Sequence, residues 1–199
     1  MTRVRLEDIE RFWRDQNPRR RALRERIDAR RLPYAVAVEN LSKDRNLGNL
    51  MRTANAFLCG EILLIGGAAF DESGSGGIYR FERLRHLADG ETFLAYAREA
   101  GYTVIAVEID PRAELLHRFV YPPKPLFLFG SELQGLSPAL AERADSRLMI
   151  PQYGLIPCLN VTISCSIVLY DHVTRAHADL APAPVKASKY QLDPRSGRA

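Results

Sequence analysis

Three stretches of the 199-residue chain combine residue types and spacings that suit chemistry on an anion or a sugar oxygen. The first is Asn46-x-Gly48-x-x-x-Arg52. Gly48 and Arg52 are four apart, so on a helix they share a face, and a helical side chain leans back toward the N-terminus. Arg52 is thereby predicted to lie over the bare backbone of Gly48 with its guanidinium near the helix start. There, unpaired N–H groups and the helix dipole already favour an anion. A surface arginine beside a tolerated glycine would leave the same spacing.

The second stretch, LFLFGSELQGLSP, is an apolar run that ends in Gly130, followed by Glu132 and Gly135. Glycines at the carboxyl end of a parallel strand let the backbone approach a ligand, and open α/β sheets bind ligands at that end. Glu132 is placed to accept hydrogen bonds from a ligand or to fix the loop. The third stretch, IPQYGLIPCLNVTIS, leads through a Pro- and Gly-marked loop into a long apolar helix. Cys158, Leu159 and Asn160 fall at its first turn, where backbone amides are available. Asn160 suits a ligand contact and suits helix capping almost equally.

Other constellations are weaker. Ser73-Gly74-Ser75-Gly76-Gly77 lacks the G-K-[ST] ending of a phosphate loop and reads as a flexible turn. His86, His117, His172 and His177 are scattered, and the last two, five apart on a helix, are not expected to face one metal. No metal site is expected. Asp171-His172 occurs without a G-x-S-x-G elbow, so nucleophilic hydrolysis is not expected. Cys59, Cys158 and Cys165 are odd in number and form no C-x-x-C pair, which predicts reduced thiols.

The elements that must position these residues follow from periodicity. YAVAV, EILLIG, YTVIAVEI, LFLFG and RLMIP read as strands, and NLGNLMRTANAFLCG, ETFLAYAREAG, SPALAERA and LNVTISCSIVLYDHVTRAH as helices. This alternation predicts an α/β domain with a largely parallel sheet covered on both faces. Gly60 and Gly101 suit left-handed helix caps, and Ser137-Pro138 a capped helix start. Before Pro33, Leu6, Ile9, Phe12 and Trp13, then Leu23 and Ile27, mark two short helices. Beyond about Leu180 the chain loses apolar periodicity and reads as a mobile tail.

Apolar residues make up 46% and charged residues 26%, as in ordinary globular proteins, which excludes a mainly disordered chain. No apolar run reaches the roughly 18 residues of a membrane helix, and the N-terminus is too charged for a secretory signal. The expectation is a cytoplasmic protein with no membrane partner. Residues 1–31 hold 11 arginines against 6 acidic residues, while the rest of the chain is nearly balanced. Such a local excess suits a polyanion, because neutralising phosphates releases condensed counterions. A solvated helix face would show the same charge.

Taken together and in order, N-L-G-N-L-M-R-T-A-N-A-F, F-G-S-E-L-Q-G-L and I-P-Q-Y-G-L-I-P-C-L-N-V resemble the three motifs of the SpoU (TrmH-like) branch of SPOUT RNA methyltransferases. The resemblance spans about Pro33 to His177. It implies an S-adenosylmethionine-dependent ribose 2′-O-methyltransferase, acting as a homodimer, with its C-terminal part threaded into a trefoil knot, a rarity among folds. The implied organisation is a basic helical arm over 1–32, an α/β SPOUT-type domain over 33–178 and a tail over 179–199. By that resemblance Gly130, Ile150 and Leu159, with Cys158 beside them, contact the cofactor. Arg52 matches the catalytic arginine, and Asn46, Glu132 and Asn160 match polar residues that complete the pocket.

Two residues depart from the family pattern. Cys158 stands where serine is usual and Gln152 where methionine is usual, and a thiol is a poorer hydrogen-bond partner than a hydroxyl. The first departure raises the alternative of a non-catalytic RNA-binding or assembly protein on the same scaffold. A guanidinium with a pKa above about 12 is no general base. Arg52 is therefore expected to clamp a developing alkoxide or adjacent phosphate electrostatically. Arg19, Arg20, Arg21 and Arg24 are the expected RNA contacts. The arm is too short for a separate globular RNA-binding domain, which points to tRNA rather than rRNA.

Overall fold

Five apolar runs build the centre of a seven-stranded sheet in a computed structural model that describes residues 3–5, 17–39, 44–67, 69–131, 134–155 and 158–181. The strands are β1 (Arg3–Arg5), β2 (Ala35–Glu39), β3 (Glu61–Ile65), β4 (Ala69–Asp71), β5 (Leu84–Leu87), β6 (Thr103–Val107), β7 (Glu114–Leu115), β8 (Pro125–Phe129) and β9 (Ser146–Met149). The helices are α1 (Pro18–Asp28), α2 (Asp44–Ala56), α3 (Gly90–Glu99), α4 (Pro138–Arg143) and α5 (Val161–Ala176). The large sheet runs β5-β3-β2-β8-β6-β9-β7, and among the described residues all its pairings are parallel. The helix expected around Leu6–Trp13, Glu132, and the tail beyond Ala181 lie outside the described residues.

Period-two alternation sorts the sheet into two cores. Val36, Val38, Ile62, Leu64, Ile105, Phe127 and Phe129 face α2 and α5, packing with Leu50, Met51, Ala54, Cys165, Val168 and Leu169. Ala35, Ala37, Leu63, Ile65, Val104, Ala106, Leu126 and Leu128 face α3 and α4, packing with Phe93, Leu94, Ala97 and Leu140. This is the α/β arrangement that the sequence predicts. Asp89 and Thr92 cap α3 reciprocally, and Ser137 caps α4 ahead of Pro138. Among the described residues no helix is long and apolar enough to cross a membrane.

Several local expectations are corrected. The left-handed residue after α2 is Leu58, with φ of 57°, not Gly60. Gly60 is instead needed for close approach, since a Cβ there would lie 2.7 Å from the Tyr34 carbonyl oxygen and 2.9 Å from that of Leu32. The stretch from Ser73 to Gly77 is no loose turn: Glu72–Ser75 forms a 3-10 helix that packs on α2, and Ser75 is 1% exposed. β5 escapes the sequence pattern because, at the sheet edge, its Arg85 and His86 face solvent. β1 pairs antiparallel with β4 and buries Val4, so residues 3–5 are held on the domain.

A buried ion network joins α1, α2 and the following turn. Arg31 donates to Asp28 at 2.7 Å, to Glu82 at 2.9 Å, and to the carbonyls of Cys59 and Phe81, both at 2.6 Å. Asn55 Nδ2 donates to Glu82 Oε1 at 2.6 Å. Burial raises the Glu82 carboxyl while Arg31 and Asn55 oppose the shift. A buried pair is tolerable when its hydrogen-bonding capacity is met in this way.

His172 is buried in a box formed by the rings of Tyr34, Tyr121 and Phe127, with neither ring nitrogen hydrogen-bonded. Burial, and then the neighbouring His177, push its pKa down to about 4. Because the unfolded chain binds that proton near pH 6.5, the folded state loses about 3 kcal/mol as pH falls from 6.5 to 4. Chemical denaturation of the wild type and of His172→Phe checks this. The variant, which fills the box without titrating, is expected to lack that part of the acid slope.

Candidate active site

A cleft of about 260 Å³ opens at the carboxyl ends of β6, β8 and β9, against the start of α5. That is near the lower end of small-molecule sites, roughly 300–1,000 Å³. Gly130, Ile150, Cys158 and Leu159 all line it, as do Gln152, Glu108 and Ser131. The sheet order explains the place: the chain builds outward through β3 and β5 on one side of β2, then returns to insert β8 between β2 and β6. Open α/β sheets bind ligands at such a reversal.

The two ends of the loop after β8 are pinned together. Ser131 N–H donates to the Gly135 carbonyl at 3.1 Å, and Gly135 N–H donates back to Ser131 at 2.9 Å. A Cβ on Gly130 would lie 2.0 Å from the Gly135 carbonyl carbon, so glycine is obligatory there. Two carboxylates from the flanking strands then grip the next two amides. Glu108 Oε1, just past β6, accepts from Leu136 N–H at 3.2 Å, and Glu39 Oε2, ending β2, accepts from Ser137 N–H at 2.7 Å. Neither carboxylate is foreseen from the sequence. The signal was a charged residue closing an apolar strand run, at the end of the sheet where ligands sit.

Asn160 takes the capping role and also reaches the first motif. Its Oδ1 accepts from Thr162 N–H at 2.9 Å and Ile163 N–H at 3.4 Å, capping α5, while Nδ2 donates to Asn46 Oδ1 at 3.2 Å. Thr162 Oγ1 donates to the Asn46 carbonyl at 3.2 Å, and the Thr53 and Ser166 hydroxyls lie 3.1 Å apart. The first motif is thus tied along α5 to the third.

Arg52 is exposed on α2 and does not line this cleft. It lies six residues beyond Asn46, about 9 Å along the helix axis. Gly48 is not a bare platform beneath it. A Cβ on Gly48 would meet the Gly74 carbonyl carbon and the Ser75 nitrogen, both at 2.5 Å, so this glycine serves the packing of the 3-10 helix on α2.

On the arm, Asn17 caps α1, Arg19 and Arg21 are exposed, and Arg20 is half-buried. Arg21 is paired with Glu25 at 2.9 Å. Arg24 turns inward and is 7% exposed, so the outward charge comes from the other three. His172 and His177 do approach each other, with ring centroids 5.5 Å apart, contrary to the helical spacing, because His177 ends the helix. Among the described residues no three metal-ligating side chains gather.

Residues 33–170 match the model of the SpoU rRNA methylase family. A tRNA (guanosine(18)-2′-O)-methyltransferase of Thermus thermophilus is 29% identical over 156 residues, covering 77% of this chain and 80% of the relative. The crystal structure of the Aquifex aeolicus TrmH/SpoU tRNA modifying enzyme superposes with a TM-score of 0.72 at 23% identity, over 81% of this chain and 84% of that one. The AdoMet-bound rRNA methyltransferase of Sinorhizobium meliloti gives a TM-score of 0.67 at 26% identity, over 77% and 60%.

Proposed function

Because the chain belongs to the SpoU rRNA methylase family, we propose that it transfers the methyl group of S-adenosylmethionine to a ribose 2′-hydroxyl of tRNA. The observation that carries this reading is the meeting of the second and third motifs in one cleft, at Gly130, Ile150, Cys158 and Leu159. The cleft suits the cofactor. It offers backbone from the closed loop, apolar walls at Val107, Phe129 and Ile150 for a base, and a carboxylate at its rim.

Gly130, Ile150, Leu159 and Cys158 would hold S-adenosylmethionine, which when bound supplies an electrophilic methyl on a sulfonium. A hydroxyl is a weak nucleophile, so this chain must orient it and stabilise its developing charge. Arg52 supplies that fixed positive charge, and Asn46, Glu132 and Asn160 position the ribose. Cys158 needs no covalent role in direct transfer. We read the C-terminal part as threaded in the family's knot, and the enzyme as working in the cytoplasm.

The working unit in this reading is a homodimer. Ile163 and Tyr170 share a face of α5, and Tyr153 and Leu155 stand exposed on the preceding loop. Exposed apolar side chains on this helix and the loop before it suit a second copy. In this reading Arg52 serves the second copy's cleft, since it is exposed and does not line its own.

The basic arm binds the tRNA. Replacing Arg19, Arg20 and Arg21 together with alanine is expected to weaken tRNA binding about tenfold near physiological salt. The slope of log K against log salt should fall by about two to three, one phosphate per arginine. Filter binding across a salt series checks this. For the function as a whole, mass-spectrometric maps of ribose methylation in total RNA with and without the gene are expected to differ at a tRNA nucleotide. Identical maps would count against the reading.

A further inference from the structure

We propose that Glu108 accepts a hydrogen bond from a ribose hydroxyl of the bound cofactor's adenosine, an assignment that rests on reading this cleft as the S-adenosylmethionine site. Glu108 is the first residue past β6 and lines the cleft. Its Oε1 is anchored by Leu136 N–H at 3.2 Å. The same oxygen lies 2.7 Å from where a Cβ on Gly135 would stand, so the absence of a side chain there gives the carboxylate its seat. Among the described residues its other oxygen, Oε2, takes no hydrogen bond.

Glu39 provides the internal contrast. It grips the neighbouring amide from the opposite side of β8, is almost fully buried, and does not line the cleft. Two carboxylates hold the loop, and Glu108 is the one that also faces the ligand space. Among the described lining residues it is the only one with a carboxyl side chain.

A carboxylate accepts hydrogen bonds and donates none, so the nitrogens of an adenine ring that act as acceptors cannot pair with it. The adjoining walls, Val107, Ile109 and Phe129, suit the faces of the base. The exocyclic amine of the base and the hydroxyls of the sugar are the donors that match; we assign the hydroxyls, and bonds to a carboxylate are roughly twice as strong as neutral ones.

Calorimetric titration of Glu108→Gln separates this role from loop support. Glutamine keeps an oxygen for Leu136 N–H but replaces the charged acceptor. Against S-adenosylhomocysteine and 5′-methylthioadenosine the variant is expected to bind about tenfold more weakly than wild type, the loss of one charge-assisted bond. Against the 2′,3′-dideoxy analogue of methylthioadenosine, wild type and variant should bind alike.

Equal affinity of the two proteins for S-adenosylhomocysteine overturns the proposal. So does a loss seen with S-adenosylhomocysteine but not with methylthioadenosine, which would put Glu108 at the amino-acid end. A loss equally large for the dideoxy analogue would place Glu108 on the adenine amine or on the loop alone, and overturns the proposal as well. Failure of the wild type to bind any of these ligands would instead remove the cofactor reading itself, and this assignment with it.

Discussion

Arg52→Ala loses at least about a hundredfold in methyl-transfer rate at saturating S-adenosylmethionine, the scale of removing one fixed charge-stabilising group from an active site. Cofactor affinity stays within a few-fold, because the cofactor is held by Gly130, Ile150 and Leu159 while Arg52 is assigned to the developing charge on the ribose oxygen. Its place on α2 is secured from both ends. Asn46 bonds to Asn160 at 3.2 Å at one end, and Asn55 bonds to the buried Glu82 at 2.6 Å at the other. The substitution therefore removes a charge from a fixed position without loosening the helix. Stopped assays of methyl incorporation beside calorimetric titration check both halves. Near wild-type turnover would remove the role assigned to Arg52. Because the reading has this arginine serving the other copy's cleft, co-expression with a chain defective in its cleft is expected to restore about a quarter of wild-type activity, from mixed dimers carrying one intact site.

The second large effect is at Gly130. An alanine Cβ there would lie 2.0 Å from the Gly135 carbonyl carbon and 2.2 Å from the Leu136 nitrogen, and both are backbone atoms. The loop can relieve this only by opening. That breaks the paired Ser131–Gly135 bonds and draws the Leu136 and Ser137 amides away from Glu108 and Glu39. Gly130→Ala is expected to weaken S-adenosylmethionine binding by a hundredfold or more, about 2.7 kcal/mol. Gly154→Ala is the control, since a Cβ there meets nothing within 4 Å, and it should bind as wild type does. Equal titration curves for the two variants would show that the closed loop is not part of the cofactor site.

Residues that act through their own run of sequence were the legible part of this molecule. β2, β3, β6 and β8 are buried strands written as largely apolar runs, and Ser137-Pro138 announces α4 by local chemistry alone. Gly48 shows where that legibility stops. Its helix is foreseen, but the reason for glycine is the backbone of residues 74 and 75, distant in sequence and brought there by packing. Glu108 was missed for the same cause. Nothing near it in the chain marks it, and its partner Leu136 lies 28 residues away, on the loop after the strand that the sheet places beside β6. β5, at the sheet edge, is hidden by its exposed Arg85 and His86. The ordered motifs compensate because they report three distant segments at once, and two of those segments share one cleft while hydrogen bonds tie the remaining one to its rim.

The most direct measurement incubates the purified chain with methyl-labelled S-adenosylmethionine and unmodified tRNA, then digests the RNA to nucleosides for mass spectrometry. The account predicts label in a single 2′-O-methylated nucleoside, lost with Arg52→Ala. Label on a base, or cofactor binding with no incorporation into any tRNA offered, would contradict it.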